Sequence, residues 1–259
     1  MAETALMNNP DIQELIEILR KNNLKQQNGE LTSLINCVSS MENQLKTALG
    51  ELDAVQKQLA ELKDKQNPLR TACIKTINNL RIAINNIQKK LTEIKNAIVE
   101  GAKNAVAAFK EKGLSALNSI MKFFKVKDGL AAIGENADKA IKSANNSISK
   151  IDKISSEIHA AGSHRRNVFR IMTNKETQND IKANGKIAKI VQAPFRAIKA
   201  AMSKIKNVAK GMINKLEQLD KTVQKIKEQK PSILKPVKEF KAPAKTENTD
   251  QSKKIEAAL

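Results

Sequence analysis

Few side chains in this sequence have the types and spacing that chemistry demands. The two histidines, His159 and His164, are five residues apart, a spacing that on a helix turns them away from each other, and Glu157 is the only nearby carboxylate. A zinc centre needs three or four ligands converging on one point, so no metal site is expected. Cys37 and Cys73 are the only cysteines, and neither belongs to a CxxC pair or a Cys/His set. They fall in apolar stripes, which fits buried thiols in a reducing compartment better than a disulfide framework. Glycine loops that cradle phosphate, GxxxxGK[ST] or GxGxxG, are absent, so no cofactor is expected.

One cluster stands out. The stretch HRRNVFR, residues 164 to 170, sets Arg166 and Arg170 one helical turn apart with Arg165 beside them. Guanidinium groups offer a planar fork that suits carboxylate or phosphate, which makes Arg165, Arg166 and Arg170 candidates for anion binding. The plainer role is a basic last turn that complements a helix dipole, or an ion pair to an acidic helix elsewhere.

A second stretch, GAKNAVAAFKEKGLSALNSIMKFFKVK at residues 101 to 127, could lie on a membrane: on a helical wheel Val106, Phe109, Gly113, Leu117, Ile120 and Phe124 share one face, and lysines flank it. The same face suits packing against other helices. Packing is the favoured reading, because several other long apolar stripes need partners and each buried apolar side chain contributes about 1.5 to 3 kcal/mol. Gly101, Ala102, Ala105 and Gly113 would let a neighbour approach closely.

The elements that hold these residues are helical. Aromatic residues are 2% of the 259, Trp and Tyr are absent, and Gly and Pro number 9 and 6, a composition that disfavours a compact sheet. Asn9-Pro10-Asp11 predicts a helix start, with Ile12, Leu15, Ile16 and Leu19 following to about residue 23 and Asn28-Gly29 as the break. From Leu31 the apolar positions Leu34, Val38, Met41, Leu45, Ala48, Leu52, Val55, Leu59 and Leu62 alternate by 3 and 4, as a coiled-coil seam does. Asn67-Pro68 opens a second seam from Cys73 to Ile98, so residues 30 to 66 and 68 to 126 are expected to form an antiparallel hairpin. A third long helix is predicted over 129 to 172, with Leu130, Ile133, Ala137, Ile141, Ala144, Ile148, Ile151, Ile154 and Ile158 inward. A fourth spans 186 to 230 and contains Pro194. Residues 231 to 259 carry three prolines and no sustained period, which predicts a disordered tail.

The expected fold is therefore all-α: an elongated antiparallel bundle from 30 to 230 with coiled-coil hairpins, preceded by a short N-terminal helix within residues 1 to 29. No stretch approaches the roughly 20 apolar residues of a membrane span, and the N-terminal residues lack the basic start and apolar core of a signal peptide, so a cytoplasmic location is expected.

Net charge is +19, distributed unevenly. Residues 1 to 68 carry 7 basic and 10 acidic side chains, whereas 173 to 230 carry 14 and 5. Such a surface suits an acidic protein or nucleic acid as partner. Lysine outnumbers arginine 39 to 7 and aromatics for base stacking are scarce, so any nucleic-acid binding would be nonspecific and salt-sensitive. A membrane surface is a weaker candidate partner, and self-association is compatible with the seams.

The stretches ALMNNPDIQELIEIL, AIVEGAKNAVAAFKEKGLSALNSIMKFFKVKDGLAAIGENADKAI and APFRAIKAAMSKIK with KPSI resemble a family of helical bacterial proteins known only as a domain of unknown function. The resemblance implies an accessory protein of Gram-positive gut bacteria, carried on integrative or conjugative elements, and it supplies no catalytic residues. The expected function is non-enzymatic: a helical scaffold with a basic face for an acidic partner. Coating of DNA and a membrane-surface or pore-related role are the alternatives.

Overall fold

The computed structural model describes residues 6–61, 68–178 and 186–229, and the described residues contain helices and no strands. After a single 3₁₀ turn at Leu6–Asn8, α1 spans Pro10–Lys21. The Asn9 side chain caps it, accepting from the backbone N–H of Asp11 at 3.0 Å and of Ile12 at 3.3 Å, while Pro10 occupies the first position, where no N–H is needed. Ile12, Leu15, Ile16 and Leu19 are buried.

The break after α1 comes earlier than Asn28-Gly29. Asn23 takes a left-handed conformation with φ of 56°, and the Leu24 N–H reaches back to the Leu19 carbonyl at 2.9 Å, closing a Schellman motif. Helix α2, Lys25–Glu61, then runs straight through Asn28-Gly29. A Cβ at Gly29 would meet nothing within 4 Å, so this glycine costs α2 only its own flexibility, an amount that burial of Leu31, Leu34 and Val38 outweighs.

Helix α3, Pro68–Lys112, buries the seam Cys73, Ile77, Leu80, Ile84, Ile87, Leu91, Ile94 and Ile98. It stops well short of residue 126. Gly113 has φ of +66°, and beyond it two 3₁₀ turns, Gly113–Leu117 and Ile120–Phe123, fold the chain back along α3. Helices α4, Lys127–Met172, and α5, Lys186–Gln229, complete the described chain. Pro194 lies inside α5. Its ring leaves the Ile190 carbonyl without an N–H partner, at a residue that is exposed and so open to water.

The four long helices form an up-down-up-down ring. Lys95 meets Glu42 at 2.7 Å between α3 and α2, and Asn86 donates to Asn136 at 3.3 Å between α3 and α4. Lys206 meets Asp138 at 2.7 Å and Lys127 meets Glu217 at 2.9 Å between α4 and α5. Cys37 Sγ lies 3.9 Å from the Val208 carbonyl and closes the ring between α2 and α5. The seams of α2 and α3 thus face a core shared by four helices, beyond the two-helix hairpin that their spacing predicts.

On α4 the fully inward positions differ from the isoleucine stripe. Ala137, Ala140, Ala144, Ser147 and Ile151 are buried, whereas Ile141, Ile148 and Ile154 are only partly so. Because α4 is wedged between α3 and α5, small residues at its centre let both neighbours close in, and the isoleucines seal the flanks. Ile158 is exposed, because the bundle ends before it. The predicted tail, residues 231 to 259, lies outside the described residues.

Candidate anion-binding site

The register of α4 against its neighbours decides what surrounds the arginine cluster. Extended from Lys206–Asp138 and from the hydrogen bond between Gln192 and Asp152, it brings Lys186, where α5 begins, level with about residue 158 of α4. The Asn86–Asn136 contact likewise brings Pro68, the first residue of α3, level with about residue 154. The last turns of α4 therefore overhang the ends of both neighbours, by about 20 Å at 1.5 Å per residue.

Arg165, Arg166 and Arg170 all lie on this overhang. With Phe169, Thr173 and Lys175 they line an open concavity of about 540 Å³. Arg166 Nη2 donates to Ser163 Oγ at 3.1 Å, and Arg170 Nη1 donates to the Glu176 carbonyl at 3.2 Å. Among the described residues no carboxylate forms an ion pair with any of these four cations. An ion pair to the acidic first hairpin, one of the plainer roles open to the cluster, is not present among them.

Capping of α4 does not depend on the arginines either. Thr173 Oγ1 donates to the carbonyls of Phe169 and Arg170, at 3.0 and 3.2 Å. Asn174 takes φ of 58°, and the Lys175 N–H reaches the Arg170 carbonyl at 2.8 Å. This is a second Schellman motif, with asparagine again in the left-handed position. The returning strand of loop is fastened by Asn167, whose side-chain amide donates to the Gln178 carbonyl at 3.1 Å and accepts from its N–H at 3.0 Å. That two-way clamp holds Lys175 beside the helix, completing the cationic lining.

Apolar side chains crowd the same overhang. Phe169 is 68% and Met172 79% exposed, and Ile158, Val168 and Ile171 are more than half exposed. The sequence points to the arginines and to Ile158, the latter as an inward position, but not to Phe169, Ile171, Met172, Thr173 or Lys175 as their company. A local signal existed: after Ile151 the inward positions read Ile158, Gly162, Arg165, Phe169 and Met172, where the run of small and aliphatic residues breaks.

The residues of the 101 to 127 stretch face their own chain. Val106, Leu117, Ile120 and Phe124 are buried and Phe109 partly so. Gly113 is exposed and forms the turn, so it is no helix-packing position. The close approach occurs at Gly101 instead, against Phe124.

Elsewhere the chemistry is quiet. Cys37 and Cys73 are buried free thiols, each pushed up to about 11 by burial, which removes the thiolate needed for nucleophilic work. Among the described residues no group of three His, Cys, Asp or Glu side chains converges on a metal position, and no helix is long and apolar enough to cross a membrane.

Residues 8–258 match the sequence profile described as a family of unknown function (DUF6674). The chain belongs to this family. No curated protein and no solved structure matches it significantly.

Proposed function

We propose that this DUF6674 protein is a non-enzymatic helical scaffold whose basic surface engages an acidic partner. The cation-lined concavity on the α4 overhang, with no carboxylate paired to it among the described residues, carries the reading. A cluster with no carboxylate paired to it among the described residues keeps like charges together at a cost, which an external anion would offset. The sequence resemblance to proteins of Gram-positive gut bacteria supports assigning the scaffold to the accessory machinery of an integrative or conjugative element, in the cytoplasm.

Affinity purification from the producing cell, with and without nuclease, tests the reading. An acidic protein retained after nuclease treatment and released by salt supports it. Recovery of nucleic acid alone overturns it.

The distribution of lysine favours a second reading, sequence-nonspecific DNA binding. α3 contains 9 basic and 3 acidic residues and α5 contains 11 and 3, and these two helices flank α4. Binding of this kind would weaken steeply with salt and depend little on sequence, and affinity that survives high salt argues against it.

A further inference from the structure

The inward stripe of α4 does not stop where the bundle stops. Ala144, Ser147, Ile151 and Ser155 are buried against neighbouring helices, and the same 3-and-4 spacing continues through Ile158, Gly162, Arg165, Phe169 and Met172. These later positions share the face of the core residues, but the described parts of α3 and α5 end before reaching them. Among the described residues, a helix face built for packing has no neighbouring helix along it.

We infer that the α4 overhang docks an acidic amphipathic helix from a partner protein, laid along the stripe from Ile158 to Met172 with its carboxylates toward Arg165, Arg166, Arg170 and Lys175. The inference rests on the acidic-partner reading and specifies the partner's form. Such a helix would extend the bundle's own packing past its end: apolar side chains of the partner would cover Ile158, Phe169 and Met172, and glutamates or aspartates at the edges would meet guanidinium forks in a partly dry setting.

The site is built to stay open and rigid. Asn167, which clamps the returning loop through Gln178, is two residues from Phe169 and so lies almost opposite it on the helix, which keeps the described part of the loop off the stripe. The Schellman motif at Thr173, Asn174 and Lys175 holds the last turn in place, so little ordering entropy is lost on docking.

Other occupants fit less well. A second copy would bring the same four cations face to face. A phosphate backbone would satisfy the arginines and leave Ile158, Phe169 and Met172 against water. A lipid surface meets a polar apex, Thr173-Asn174-Lys175-Glu176, at the end of the overhang.

The test uses the full chain and a fluorescein-labelled synthetic peptide of about 15 residues, long enough to span the overhang. The peptide is made of Leu, Ala and Glu, with Leu at 3-and-4 spacing, and anisotropy is read at roughly 0.15 M salt. Comparison probes are a scrambled peptide of the same composition, poly-glutamate and a single-stranded oligonucleotide. The striped peptide is expected to bind at least about tenfold more tightly than its scrambled form, and Phe169→Ala with Met172→Ala to weaken it about tenfold. Arg165→Gln, Arg166→Gln and Arg170→Gln together should weaken it as much. Removing three exposed charges elsewhere, with Lys103→Gln, Lys139→Gln and Lys199→Gln, should change little. All substituted side chains are exposed or only half-buried and belong outside the core, and circular dichroism checks that each variant is folded.

Equal binding of the scrambled peptide, tighter binding of the oligonucleotide, or indifference to Phe169→Ala with Met172→Ala overturns the docked helix and leaves the broader acidic-partner reading standing. A concentration-dependent dimer, seen by light scattering and abolished by the same pair of substitutions, overturns it in favour of a second copy. If neither peptide nor poly-glutamate binds at all, the acidic-partner reading falls with it.

Discussion

The ring of Phe124 rests on the backbone of Gly101: a Cβ added at Gly101 would fall 2.5 Å from Phe124 Cδ1 and 2.7 Å from the Phe123 carbonyl oxygen. The chain beyond Gly113 can return along α3 only because that side chain is missing. Gly101→Ala should therefore destabilise the protein by about 1 to 3 kcal/mol in urea unfolding, since backbone must shift to make room. Gly134→Ala, on α4 with nothing within 4 Å, should instead stabilise by about 0.5 to 1 kcal/mol.

Gly113 is needed for conformation, with φ of +66° and open space around it. Gly113→Ala should cost about 1 kcal/mol through left-handed strain alone, and Gly113→Asn less, because asparagine tolerates this region. Thermal melts of the two variants, compared with the parent, separate strain from packing.

Gln192 is buried between α5 and α4, where it donates to Asp152 Oδ1 at 2.5 Å and to the Ile148 carbonyl at 3.3 Å, and accepts from Arg196 Nη2 at 3.0 Å. Replacing it with leucine of similar size removes all three bonds. Gln192→Leu should destabilise by about 1 kcal/mol, read by denaturant midpoint, because hydrogen bonds made by a buried side chain between α5 and α4 are lost.

Both thiols should resist modification in the native state and react fully in denaturant, measured with a chromogenic disulfide reagent at neutral pH. Burial holds Cys37 and Cys73 protonated up to about 11, above the ordinary thiol value. As pH rises, the unfolded chain loses these protons first, so the sign is unambiguous: their contribution to stability is complete below the unfolded thiol range and is lost as pH climbs through about 9 toward about 11. Cys37→Ala with Cys73→Ala should flatten that alkaline decline.

Much of the architecture can be read locally. The seams of α2 and α3 are written in 3-and-4 spacing, and the starts at Asn9-Pro10 and Pro68 in capping chemistry. The stop at Gly113 is not local: an isolated glycine inside an amphipathic run is tolerated in a helix, and only the fit of Phe124 onto Gly101 makes the bend favourable. Asn23 and Asn28 look alike in sequence, and docking of Leu24 back onto Leu19 selects the first. Arginines 165, 166 and 170 are visible as a cluster, but their isolation depends on where α3 and α5 end relative to α4, a comparison of distant segments that no window of sequence contains.

Closure of the ring by α5 also sets the order in which this protein can be made. While the chain leaves the ribosome, α2, α3 and α4 emerge with Val38, Met41, Ala144 and Ile151 along a trough that has no lid, because α5 packs between α2 and α4 on the side opposite α3. Three quarters of the bundle is thus a nascent state waiting for its final piece, and a ribosome stalled within α5 would leave the most adhesive form of the chain behind.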